Sequence, residues 1–214
     1  MAISEKQKQK KLAKKNRKRK LTKPPLNIGG QRRLSPSNYA SFPIHECFVP
    51  NTLFELGIGY VIVARRVPDG LIAVSAFVVD VHCLGVKNAL FKVSSEFEYE
   101  NTVKPQLMRS SEEALFENIH QNCARKLIEG AVLYAKDLGF PPHRDYNDAQ
   151  KIFGDIDINS CPIKYTYGKD GKPFYVRGPN ESVSQAKRIV DKLSKKCGEG
   201  NFDYIIMLDE GIVE

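Results

Sequence analysis

Apolar residues recur in two rhythms after residue 41 and are sparse before it. Gly59–Arg66 and Leu71–Asp80 are almost continuous apolar, β-branched runs joined by the turn chemistry of Val67-Pro-Asp-Gly70. They predict two central strands covered on both faces. Ala89–Val93 adds a third extended segment, and the three read as an antiparallel meander. The period then changes. Ser110-Ser111 ahead of Glu112 and Glu113 is a helix-start signature. Leu115, Phe116, Ile119, Cys123, Leu127, Ile128, Ala131, Tyr134, Ala135 and Leu138 follow at i+3/i+4 spacing until Gly139 and Pro141-Pro142 end the helix.

Beyond it the pattern predicts a short helix over Asn147–Phe153, and a hairpin of Lys164–Tyr167 and Phe174–Arg177 around Gly168-Lys-Asp-Gly171. An amphipathic helix over Val183–Lys196 and a closing strand over Phe202–Leu208 complete the chain. The order β-β-β-α-(α)-β-β-α-β specifies an α+β fold. A meander leading into a long helix is also how an RNase H-like fold begins, an analogy of order that confers no function. Residues 1–40 read as a disordered polybasic arm and linker, closing in Pro24-Pro25, Gly29-Gly30 and Ser35-Pro36-Ser37, and residues 41–214 as a single α+β domain.

Charge sharpens this division. Residues 1–33 hold thirteen Lys and Arg against one acid, Glu5, a net of +12, while the whole chain carries +8. The remaining residues therefore sum to −4, with 20 basic against 24 acidic side chains. A polycationic arm on a mildly acidic body is the electrostatic footprint of a polyanion partner. The side chains expected to contact phosphates are Lys10, Lys11, Lys14, Lys15, Arg17, Lys18, Arg19, Lys20, Arg32 and Arg33. No window reaches the ~18 uninterrupted apolar residues of a membrane span. The N-terminus lacks the apolar stretch of a secretory signal. Cys47, Cys83, Cys123, Cys161 and Cys197, odd in number and without a close pair, predict free thiols in a reducing compartment, by default the cytoplasm.

Candidate chemistry in the body is sparse. Asp155 and Asp157 are two apart and would share a side on extended chain; His143 and Asp145 lie in a loop that a short helix could fold beside them. With Asp80 at a strand end, these five make the catalytic set of a metal-dependent nuclease or phosphodiesterase, the one reading that calls for a divalent metal. The plain alternative makes Asp80 a turn cap, Asp145 an N-cap and the Asp pair solvated; on that reading no cofactor is expected. His45-Glu-Cys47 and His82-Cys83 hold soft ligands without zinc-site spacing. Arg65-Arg66, Lys187-Arg188 and Lys192/Lys195/Lys196 give local positive charge, and Tyr165, Tyr167, Phe174 and Tyr175 offer rings for stacking on bases.

The phrases Phe77-Val-Val-Asp-Val-His-Cys-Leu-Gly-Val-Lys87, Tyr134-Ala-Lys-Asp-Leu-Gly-Phe-Pro-Pro-His-Arg-Asp-Tyr146, Gly168-Lys-Asp-Gly-Lys-Pro-Phe-Tyr175 with Gly178-Pro179, and Gly198-Glu-Gly-Asn-Phe202 resemble those of a widespread group of bacterial proteins, over roughly residues 42–206 as one unit. The resemblance implies one domain and brings no activity or site residue with it. The leading expectation is an accessory protein that binds nucleic acid (RNA or DNA) or a ribonucleoprotein through its arm. The competing ones are the metal-dependent enzyme and a protein-interaction domain whose arm solubilises or targets it.

Overall fold

A computed structural model describes residues 35–109 and 115–206. The fold is α+β and centres on a five-stranded antiparallel sheet of order β4-β3-β2-β1-β5. Its strands are β1 (Ile44–Pro50), β2 (Ile58–Val67), β3 (Leu71–Asp80), β4 (Gly85–Ser95) and β5 (Phe116–Asn118). β2 and β3 pair from Ile58↔Asp80 to Val67↔Leu71. Their hairpin turns through Asp69 and Gly70, both at positive φ, as the Pro-Asp-Gly sequence predicts.

Both faces of the central strands are covered, which explains their unbroken apolar composition. Val61, Val63, Ala73, Phe77 and Val79 face one core, closed by helix α1 (Gln121–Asp137) and by α2 (Tyr146–Ala149) with its 3-10 extension Gln150–Phe153. Ile62, Ala64, Ile72, Val74 and Ala76 face the other. Tyr99, Val103 and Leu107 cover them from the consecutive helical segments Glu96–Glu98, Tyr99–Val103 (π-wound) and Lys104–Met108. A third cluster packs Tyr175 with Ala186 and Leu193 of α3 (Val183–Cys197) against Cys83, Ala135 and Leu138. α3 begins with a capping box between Ser182 and Gln185.

Several boundaries differ from the sequence pattern. The long helix starts at Gln121 with His120 as its N-cap, not at Ser110; residues 110–114 lie outside those described. Phe116–Asn118 instead pairs with β1, where the Asn51 and Ile119 N–H groups donate to the Leu115 and Cys47 carbonyls. Leu115, counted on the apolar face, is 73% exposed. β1 itself lacks a clear sequence signal because His45 and Glu46 interrupt its apolar pattern. The residue 40 boundary also moves: Pro36–Tyr39 forms a 3-10 turn whose Tyr39 is buried against Phe91.

The hairpin of Lys164–Tyr167 with Phe174–Arg177 does not form. The Gly168–Gly171 turn is there as a single Lys169↔Lys172 bridge, but Tyr165 and Tyr167 turn inward. β6 (Phe174–Val176) pairs in parallel with β7 (Asp203–Ile205), outside the main sheet. An RNase H-like continuation would add its later strands in parallel to the first sheet; here the fifth strand is antiparallel and the last two stand apart.

The expectation of five free thiols is overturned. Cys123, in the first turn of α1, is disulfide-bonded to Cys161, with 5.0 Å between their Cα atoms. Cys47, Cys83 and Cys197 are free. With this bond goes the argument that tied the chain to a reducing compartment. Among the described residues no helix is long and apolar enough to cross a membrane.

Candidate functional site

Two of the phrases singled out in the sequence, Phe77–Lys87 and Gly168–Tyr175 with Gly178-Pro179, meet at one cleft of about 210 Å³. The main chain builds it. The Phe174 N–H donates to the His82 carbonyl (3.1 Å) and Gly168 N–H to that of Val81 (2.9 Å), clamping β6 beside the β3–β4 turn. Gly57 closes the floor at φ +82, where a Cβ would stand 2.2 Å from His82 Nδ1. Only glycine fits both that backbone and that contact. His82 Nε2 donates to the Phe54 carbonyl (2.9 Å), so the neutral ring carries its proton there and leaves Nδ1 as an acceptor.

Asp80 lies at the bottom. Its Oδ1 accepts from the His82 and Cys83 N–H groups (3.0 and 2.8 Å), so it caps the turn. Burial raises its pKa, against the charge of Lys87 and these hydrogen bonds. Lys87 Nζ pairs with Glu181 Oε1 at 2.7 Å. Glu181 Oε2 accepts from Tyr175 Oη (2.6 Å) and Gly178 N (3.1 Å). Burial opposes the Glu181 charge, but these three partners outweigh it and hold the carboxyl below its ordinary range. Leu56, Ile58, Phe174, Val176 and Pro179 form the walls, with Arg177 beside them. The lining is thus an apolar slot over a compensated ion pair, and it holds no arrangement of nucleophile and base.

The expected catalytic set does not converge into one ligating group. His143 Nδ1 and Asp145 Oδ2 do approach, at 3.6 Å, in the loop before α2. Asp145 makes no side-chain cap. Asp157 is spent on its own turn, accepting from Asn159 N (2.9 Å) and Ser160 Oγ (2.6 Å), and the latter bond leads in lowering its pKa. Asp155 is exposed. Among the described residues, three His, Cys, Asp or Glu ligand atoms lie within 4.8 Å of one another only at His45, Glu46 and Glu100.

That cluster is built as an ion-pair network. Lys104 Nζ stands between its carboxylates, 2.9 Å from Glu46 and 3.2 Å from Glu100, and Tyr99 Oη donates to Glu46 (2.8 Å). Arg66 donates to His45 Nδ1 (3.0 Å), which places the neutral ring's proton on Nε2, the atom a metal would need bare. Sequence reasoning missed this group because Glu100 and Lys104 lie more than 50 residues from His45. The thiols next to these histidines are kept protonated by burial, which pushes Cys47 up to about 12 and Cys83 also upward.

The rings that could have stacked on bases are mostly consumed by the core. Tyr175 is fully buried, Tyr165 stacks on Phe54 and Tyr167 on Tyr134. Phe174 remains half-buried at the cleft, with Lys169 Nζ 4.7 Å from its ring centroid. Arg65 is buried and structural, whereas Lys187, Arg188, Lys192, Lys195 and Lys196 are exposed along α3 with Asp191 among them. The ten arm residues named above lie outside the described residues. No protein family, no curated protein and no solved structure matches the chain.

Proposed function

We propose that the chain is a nucleic-acid-binding accessory protein, with RNA or a ribonucleoprotein as its favoured target, that gains affinity from residues 1–33. The observation that carries this reading is the charge partition: +12 in the first 33 residues against −4 in the remainder. Such a segment contacts phosphates without regard to sequence and releases counterions as it does so. The exposed cations of α3 support it, since they give the acidic body a local positive face toward the same polyanion.

The test compares full-length protein with a chain lacking residues 1–33, on single-stranded RNA and duplex DNA over a salt series. Deletion is expected to remove most of the binding. Undiminished binding by residues 34–214 would overturn the proposal.

A further inference from the structure

We propose that the cleft between the β3–β4 turn and β6 receives one unpaired nucleobase of the bound nucleic acid, an inference that rests on the nucleic-acid reading and locates its contact on the body. Size comes first. At about 210 Å³ the cleft is smaller than the ~300–1,000 Å³ of sites for drug-sized ligands, so it takes a single ring system and no dinucleotide cofactor.

Its chemistry is divided as a base's is. Leu56, Ile58 and Val176 stand 50%, 45% and 40% exposed at the walls, apolar surface that the flat faces of a ring would cover. Beneath them the lining itself holds a donor, the Lys87 ammonium, and an acceptor, the Asp80 carboxyl whose charge Lys87 favours, with Glu181 holding Lys87 from behind. Adjacent donor and acceptor groups match the edge of a nucleobase, whereas a fatty chain would leave them unanswered. Charge around the slot suits the backbone that carries the base. Lys87 and Arg177 line it and Lys169 lies over Phe174, against Asp80 and Glu181. An aliphatic side chain of a partner protein would fill the walls and has no use for the ion pair below.

The test uses the full-length chain with two 12-mer ribonucleotide probes, oligouridylate and an abasic oligomer with the same phosphates, at one salt concentration. A 4-thiouridine oligomer adds photocrosslinks located by mass spectrometry. The abasic probe should bind roughly 5- to 100-fold more weakly, the range of stacking one base. Crosslinks should fall within residues 54–58 or 174–179. Leu56→Asp and Val176→Asp, both at exposed positions, should each narrow the gap between the two probes. Equal binding of the two probes, or crosslinks confined to residues 1–33 and α3, would overturn the inference while leaving the nucleic-acid reading standing. Failure of both probes to bind would remove that reading itself.

Discussion

Arg65 illustrates how a residue's role depends on partners far along the chain. In sequence it is half of a basic pair next to Arg66 and counts toward a positive surface. In the fold it is 4% exposed. Its guanidinium donates to the carbonyls of Ile152 (2.8 Å), Phe153 (2.9 Å) and Phe42, tying the end of the 3-10 turn after α2 to the chain entering β1. Arg65→Met would keep the volume and orphan these acceptors. With about 1–3 kcal/mol for each unsatisfied carbonyl, a loss of roughly 3 kcal/mol is expected as a lower urea midpoint with unchanged slope. A loss below about 1 kcal/mol would show that water or a neighbour replaces the guanidinium. Asp80 contrasts with it. Its place at the end of an apolar run, ahead of a turn, already marked a capping acid, and the structure uses it so, because every group involved lies within four residues. Local roles are readable in a single sequence; roles set across 50 or 90 residues are not.

At the level of elements the same limit separates what the pattern foretold from what it missed. β2, β3 and α3 carry their signals within themselves: apolar runs around Pro-Asp-Gly, and a capping box before an amphipathic repeat. β5 does not, because three residues establish no period, and although β6 falls in the expected Phe174–Arg177 segment, its parallel partner is distant in sequence. The stretch between Gly154 and Pro173 is the clearest case. Its regular structure is limited to one 3-10 turn and the Lys169↔Lys172 bridge, and it is strapped to α1 by side chains. Arg125 donates to Gly154 and Ile156, Lys126 to Cys161, and Tyr167 Oη to the Leu127 carbonyl. Gly130 makes room for that tyrosine, since a Cβ there would stand 2.1 Å from Tyr167 Oη. The Cys123–Cys161 bond is the covalent part of the strap, closing a separation of 38 residues. Chain-entropy reasoning gives such a loop about 4 kcal/mol. The double variant Cys123→Ser/Cys161→Ser should lose up to that amount in denaturant unfolding. Non-reduced, denatured protein should expose three reactive thiols, Cys47, Cys83 and Cys197. Five would mean that the bond is not made.

For the molecule as a whole, the proposed division of labour rests on the division of charge. The folded body spends its buried and half-buried cations on itself: Lys104 on Glu46 and Glu100, Lys87 on Glu181, Arg65 on main-chain carbonyls. Groups so engaged confer shape and contribute little long-range field. Under the proposed function, attraction for a polyanion falls to residues 1–33, with α3 as the body's positive face, and discrimination to the cleft. The assignment has a quantitative consequence. Each phosphate contact contributes about 0.7–0.9 to the slope of log affinity against log salt. Replacing Lys14, Lys15, Arg17, Lys18, Arg19 and Lys20 together by Gln should make the slope shallower by as much as roughly 4–5. The preference for base-bearing over abasic RNA, measured at matched salt, should stay as it was, because the cleft is untouched. An unchanged slope would show that those six cations do not meet phosphates. A preference that fell in step with the slope would show that base and phosphate are read by the same segment, and the separation of arm from body would then be one of composition only.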